Sequence, residues 1–149
     1  MKRCFPKNDD APLLTKYHDH EWGKLNLNEN YLYEMMVLES FQSGLSWQLV
    51  LDKRENFRQA FAGFNVERVA KFTSNQRKQL LKNRGIIRNQ RKIDAAINNA
   101  RVMTKMHREG HQLCTVLTTL IPQLIVNHPQ QFTDIPTQSR LSRNLAKEF

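Results

Sequence analysis

Gln79-Leu80-Leu81-Lys82-Asn83-Arg84-Gly85-Ile86-Ile87-Arg88-Asn89-Gln90-Arg91-Lys92-Ile93 reads as a helix, a tight glycine turn and a second helix. Gly85 is expected to supply a left-handed backbone conformation, with Ile86 and Ile87 anchoring the turn in a core. Amides opening the second helix offer an anion site, and Arg84, Arg88, Arg91 and Lys92 surround it. That second helix should bury Ile93, Ala96, Ile97 and Ala100 on one face. Such a hairpin can hold a phosphate backbone without reading base sequence. The same pattern also fits two antiparallel helices whose charges are simply a solvated face. By itself the hairpin names no reaction.

Outward from it, helical periodicity dominates. Helices are expected at roughly Tyr31 to Ser43, Trp47 to Phe61, Val66 to Lys71, Asn75 to Asn83, Asn89 to Arg108, Gln112 to Ile121 and from about Ser139. Ser46 and Asn65 suit N-caps, and Thr73 with Gln76 has capping-box spacing. Gly63, Gly85 and Gly110 fall where helices should stop. The start, through Pro12, is expected to be irregular. No run alternates with a period of two, no segment repeats and no linker composition appears, so one all-α domain over 1–149 is expected.

A chain of 149 residues with 40% apolar content can bury a real core. Lysine and arginine outnumber aspartate and glutamate 23 to 14, a net charge of +9, which favours a polyanionic partner. Two cysteines, Cys4 and Cys114, make no disulfide framework. No apolar run follows Met1-Lys2-Arg3, so neither membrane nor secretion is expected, and a reducing cytoplasm is the simplest compartment.

Leu38-Glu39-Ser40-Phe41-Gln42-Ser43-Gly44-Leu45-Ser46-Trp47 places a carboxylate in an otherwise apolar helix. At helical spacing Glu39 joins Leu32, Met35, Met36 and Ser43, the stripe expected to face the core. The other face, with Tyr33, Val37 and Phe41, is equally apolar. A buried ionisable group is retained where it is paired, hydrogen-bonded or used, and desolvation should raise its pKa. Glu39 is therefore the first candidate for function.

Cys4, with Tyr17-His18-Asp19-His20-Glu21-Trp22-Gly23, gathers a thiol and imidazoles in one short irregular region, half of a zinc ligand set. His111 and Cys114 are the other His/Cys pair close in sequence; a lone buried cysteine with surface histidines is the competing reading. Tyr17, Trp22 and Trp47 offer faces on which a flat base can stack, with cation–π attraction for a positively charged one. Plain core packing is the alternative for each.

Together these segments resemble the bacterial DNA-3-methyladenine glycosylase I family of helix-hairpin-helix glycosylases. The resemblance rests on Arg3-Cys4, on Tyr17-His18-Asp19 through Glu21-Trp22-Gly23, and on Leu38-Glu39 with Gln42 and Gly44-Leu45-Ser46-Trp47. It continues through Lys53-Arg54-Glu55-Asn56-Phe57-Arg58, Gly85-Ile86-Ile87-Arg88, Lys92-Ile93 and Asn98-Asn99-Ala100-Arg101, in family order. It implies a monomeric enzyme that flips an alkylated adenine from double-stranded DNA and cleaves its N-glycosidic bond. A base methylated at N3 is cationic and leaves readily, so stacking, hydrogen bonding and support of an oxocarbenium-like sugar can suffice.

By that resemblance Glu39 hydrogen-bonds the base, Tyr17 and Trp47 line the pocket and Trp22 supports it. It implies no catalytic aspartate. It also implies a structural zinc with Cys4 and His18 as two ligands, the other two lying in a carboxy-terminal segment without a counterpart before Phe149. Phe5-Pro6 and Thr118-Thr119 depart from the family pattern, which favours tryptophan in both places. A non-catalytic DNA-binding relative is the alternative reading.

Overall fold

The computed structural model describes residues 11–121, 123, 126, 127 and 130–148, and these form helices without strands. In chain order they are α1 (Pro12–His20), α2 (Glu29–Gln42), α3 (Trp47–Asp52), α4 (Arg54–Ala60), α5 (Val66–Ala70), α6 (Ser74–Lys82), α7 (Gln90–Arg108), α8 (Leu113–Leu120) and α9 (Arg140–Glu148). None of the described helices is long and apolar enough to cross a membrane.

Local chemistry accounts for most starts and stops. Asn28, Ser46, Asn65 and Asn89 each accept a backbone N–H from the first turn of the helix they precede. Thr73 and Gln76 complete the expected capping box. Gly63 and Gly110 follow helix ends with φ of +69° and +81°, a region in which a side chain would be strained.

The expected helix across Trp47 to Phe61 is broken at Lys53 into α3 and α4, and the break turns Arg54 inward. Residues expected to be irregular are instead helical over α1, where Pro12 occupies the first turn with its φ already set. The hairpin forms, but Gly85 does not take the left-handed conformation expected of it. What demands glycine is close approach: a Cβ there would lie 3.1 Å from Asn83 Oδ1 and 3.2 Å from Asn56 Cγ.

α7 carries the core, burying Ile93, Ala96, Ile97, Ala100 and Met103 against α2 and α5. The Tyr33 hydroxyl donates to Ala96 O at 2.9 Å, joining α2 to α7 within that core. Phe41 meets Phe57 edge-on at 4.8 Å, and Phe61 stacks on Phe64 at 5.8 Å, so aromatic packing fixes α4 on α2. Arg77 of α6 and Asp94 of α7 pair side-on, through Nε and Nη2 to the two carboxylate oxygens, which links the arms of the hairpin.

α2 is rotated from the expected phase. Its buried residues are Tyr33, Glu34, Val37, Leu38 and Phe41, whereas Glu39 is exposed. Leu32 and Met36 pack only on the edge of the core. A helix apolar on both faces carries no dominant stripe, so periodicity cannot set which face turns inward. The carboxylate buried in this helix is Glu34.

Candidate nucleic-acid interface and base pocket

The end of α1, the last turn of α2 and the start of α3 converge. Tyr17 and Trp47 meet edge to face with centroids 5.3 Å apart. Burial pushes the Tyr17 hydroxyl's pKa up, and the negative charges of Glu39 and Glu21 push it further, against an opposing contribution from Arg54. Tyr17, Trp47 and Glu39, expected as pocket residues, are therefore brought together around one small region. Trp22, 47% exposed, lies just beyond α1 and stacks on the His18 ring at 5.3 Å.

Glu39 projects from an exposed position, yet its carboxyl is crowded enough for desolvation to raise its pKa above the ordinary 4.5. No salt bridge neutralises it among the described residues. The Trp47 indole Nε1, on the ring that meets Tyr17, is buried without a hydrogen-bond partner among the described residues. An uncompensated anion within electrostatic reach of a tyrosine that itself meets a tryptophan favours a flat, positively charged guest.

Within electrostatic reach of Tyr17 stands an ion-pair network with no signature in local apolar periodicity. Arg54 donates from Nε to Glu34 at 2.6 Å and from Nη1 to Glu21 at 2.8 Å. Arg58 donates to the same Glu34 oxygen at 2.8 Å, and the Tyr31 hydroxyl reaches Glu21 at 3.2 Å. Burial pushes the Glu21 carboxyl up, but the Arg54 and Tyr31 hydrogen bonds and nearby cations outweigh it and leave the group below its ordinary value. The network joins the end of α1 to α2 and α4. Its signal was available in the spacing of Arg54 and Arg58, which puts two cations on one helical face in search of a buried anion.

The hairpin presents its cations unevenly. Arg84, Arg88 and Arg91 are exposed and make no ion pair among the described residues. Gly85 N–H is held by Asn83 Oδ1 at 2.8 Å, and Lys92 N–H by Asn89 Oδ1 at 3.2 Å, so the turn is rigid. Lys92 instead sends its ammonium inward, to Phe41 O at 3.0 Å and Ser43 O at 2.7 Å.

Cys4 and Phe5-Pro6 lie outside the described residues. His18 Nδ1 is 3.1 Å from Asp19 Oδ1, and no three His, Cys, Asp or Glu side chains converge as a metal site among the described residues. The alternative pair does not converge either: the Cys114 thiol contacts Gln112, and the Cys114 and Leu113 amides donate to Glu29, which thereby caps α8. Thr118 and Thr119 are exposed on α8 and return their hydroxyls to backbone carbonyls.

One all-helical fold thus carries an exposed cationic hairpin and an unpaired carboxylate close to an aromatic pair. The Methyladenine glycosylase family profile matches residues 7–149. The chain is 38% identical to DNA-3-methyladenine glycosylase 1 of Escherichia coli (strain K12), over 99% of this chain and 79% of that one. It is 34% identical to DNA-3-methyladenine glycosylase of Haemophilus influenzae (strain ATCC 51907 / DSM 11121 / KW20 / Rd), over 97% and 78%. A crystal structure of 3-methyladenine DNA glycosylase I superposes with a TM-score of 0.91 at 38% identity, covering 99% of this chain and 81% of the other. The chain belongs to the DNA-3-methyladenine glycosylase I family.

Proposed function

We propose that this chain acts in base-excision repair by flipping 3-methyladenine out of alkylated double-stranded DNA and hydrolysing its N-glycosidic bond. Arg84, Arg88, Arg91 and the Gly85 turn hold the phosphate backbone, and Tyr17 and Trp47 stack on or line the flipped base. Trp22 supports the pocket edge. The observation that carries the reading is the unpaired Glu39 carboxylate beside the Tyr17–Trp47 pair.

A cationic 3-methyladenine supplies the counter-charge that Glu39 lacks, whereas neutral adenine leaves a desolvated anion unmatched. Holding the cationic base and the developing sugar cation in a negative pocket favours cleavage of the C1′–N bond. Water then adds at C1′ and gives up a proton. The bond electrons leave with the base, which departs as neutral 3-methyladenine and leaves an abasic site.

Cys4 and His18 would supply two of the four ligands that a closed zinc site requires, and no described side chains complete the set around His18. Any such metal would be structural, and no chemical step depends on it. The enzyme is proposed to act as a monomer in the cytoplasm.

Incubation with methylated duplex DNA tests the reading directly. Release of free 3-methyladenine above the protein-free rate is expected. Tight, salt-sensitive DNA binding without release would identify a non-catalytic relative instead.

A further inference from the structure

One cation of the hairpin is taken up by backbone carbonyls of the same chain. The Lys92 ammonium has three N–H donors, and two of them go to Phe41 O and Ser43 O. Those carbonyls belong to the last turn and C-cap of α2, a helix with no basic residue of its own near its negative end. Immediately afterwards the chain turns through Gly44 at φ +84°, with Leu45 N–H donating to Gln42 O at 2.6 Å. The clamped carbonyls thus stand between Glu39, on the preceding turn, and Trp47, which opens α3. At its other end Lys92 belongs to the first turn of α7, next to the exposed Arg88 and Arg91.

We propose that Lys92 is a positioning residue: by clamping the connector between α2 and α3 it sets Glu39 against Trp47, and so ties the geometry of the base pocket to the hairpin that grips DNA. The proposal rests on the glycosylase reading above. A flexible connector around a glycine would otherwise let the carboxylate and the indole move apart, and misplacement by about 1 Å can cost on the order of a hundredfold in rate. A phosphate-binding lysine would act differently, contributing to DNA affinity and to its salt dependence.

Lys92→Met, Lys92→Gln and Arg88→Ala separate the two roles. Three quantities are read: single-turnover release of 3-methyladenine, the salt dependence of binding to undamaged duplex, and amide hydrogen exchange over residues 43–47. For Lys92→Met, release slows roughly ten- to a hundredfold, exchange in the connector quickens and the salt slope stays at the wild-type value. Lys92→Gln recovers part of the rate, because its amide keeps N–H donors without the charge. Arg88→Ala flattens the slope by about 0.9 and leaves connector exchange unchanged.

Flattening of the slope by about 0.9 in both Lys92 variants would make Lys92 a phosphate contact and overturn the proposal. Wild-type release and wild-type connector exchange in Lys92→Met would overturn it equally. If the wild type itself releases no base, the glycosylase reading fails, and the exchange measurement still decides whether Lys92 holds the connector.

Discussion

Glu34 and Glu39 lie five residues apart on α2 and meet opposite fates. Glu34 is 7% exposed and is saturated by Arg54 and Arg58. Glu39 is exposed, has no salt bridge among the described residues and carries a raised pKa. Burial of charge by itself therefore marks architecture here, and absence of a counter-charge marks the proposed pocket. A neutralised pair has little left to offer a ligand, whereas a partly desolvated anion is stabilised by whatever cation it can recruit.

The comparison can be broken most forcefully from the Arg54 side. Arg54→Met leaves Glu34 buried with only the half-exposed Arg58, and unfolding in urea should show a loss of about 3 kcal/mol. A loss below about 1 kcal/mol would mean that the buried carboxylate does not depend on its inner cation.

A smaller effect separates the carboxylates by pH. On the role proposed for it, Glu39 acts as an anion, so the rate should fall as pH drops through a pKa above 4.5, earlier than for an ordinary glutamate. For folding, the raised pKa means that the native state binds the Glu39 proton more tightly, so this group's contribution to stability is lost as pH rises through that value. Glu29, the third carboxylate of α2, has the opposite sign. Burial pushes it up, but hydrogen bonds from Cys114, His107 and Leu113 outweigh that and hold it below 4.5. Its contribution is present above the unfolded value and is lost as pH falls through the folded one. Rate and stability profiles measured on the same protein should therefore diverge in acid.

The smallest effect concerns Glu29 as a cap. Glu29→Ala removes the acceptor of the Leu113 and Cys114 amides and should cost about 1 kcal/mol in thermal unfolding, with excision unchanged. A change in excision would show that α8 communicates with the pocket.

These contrasts also show what the sequence could reveal. The hairpin was legible because caps, apolar spacing and charge all agreed over Thr73 to Ala100, and its helices formed there. The proximity of Tyr17 to Trp47 and Glu39 follows the residue chemistry and the resemblance that singled them out. The phase of α2 was not legible, since both faces are apolar and only tertiary packing chooses between them. The Glu21–Arg54–Glu34 network was hidden for a related reason: it joins three segments far apart in sequence. α1 was missed although Pro12 was its start signal, because its helix buries little and shows no strong apolar stripe. The inward turn of Lys92 also had no local signature, since its acceptors are backbone carbonyls that any residue provides.

The central claim is that Glu39 recognises the charge of the damaged base. Single-turnover release of 3-methyladenine by wild type and Glu39→Gln, alongside their affinities for undamaged duplex, tests it most directly. A loss of roughly a hundredfold in release, with DNA affinity unchanged, is expected. Release by Glu39→Gln within about twofold of wild type would contradict it.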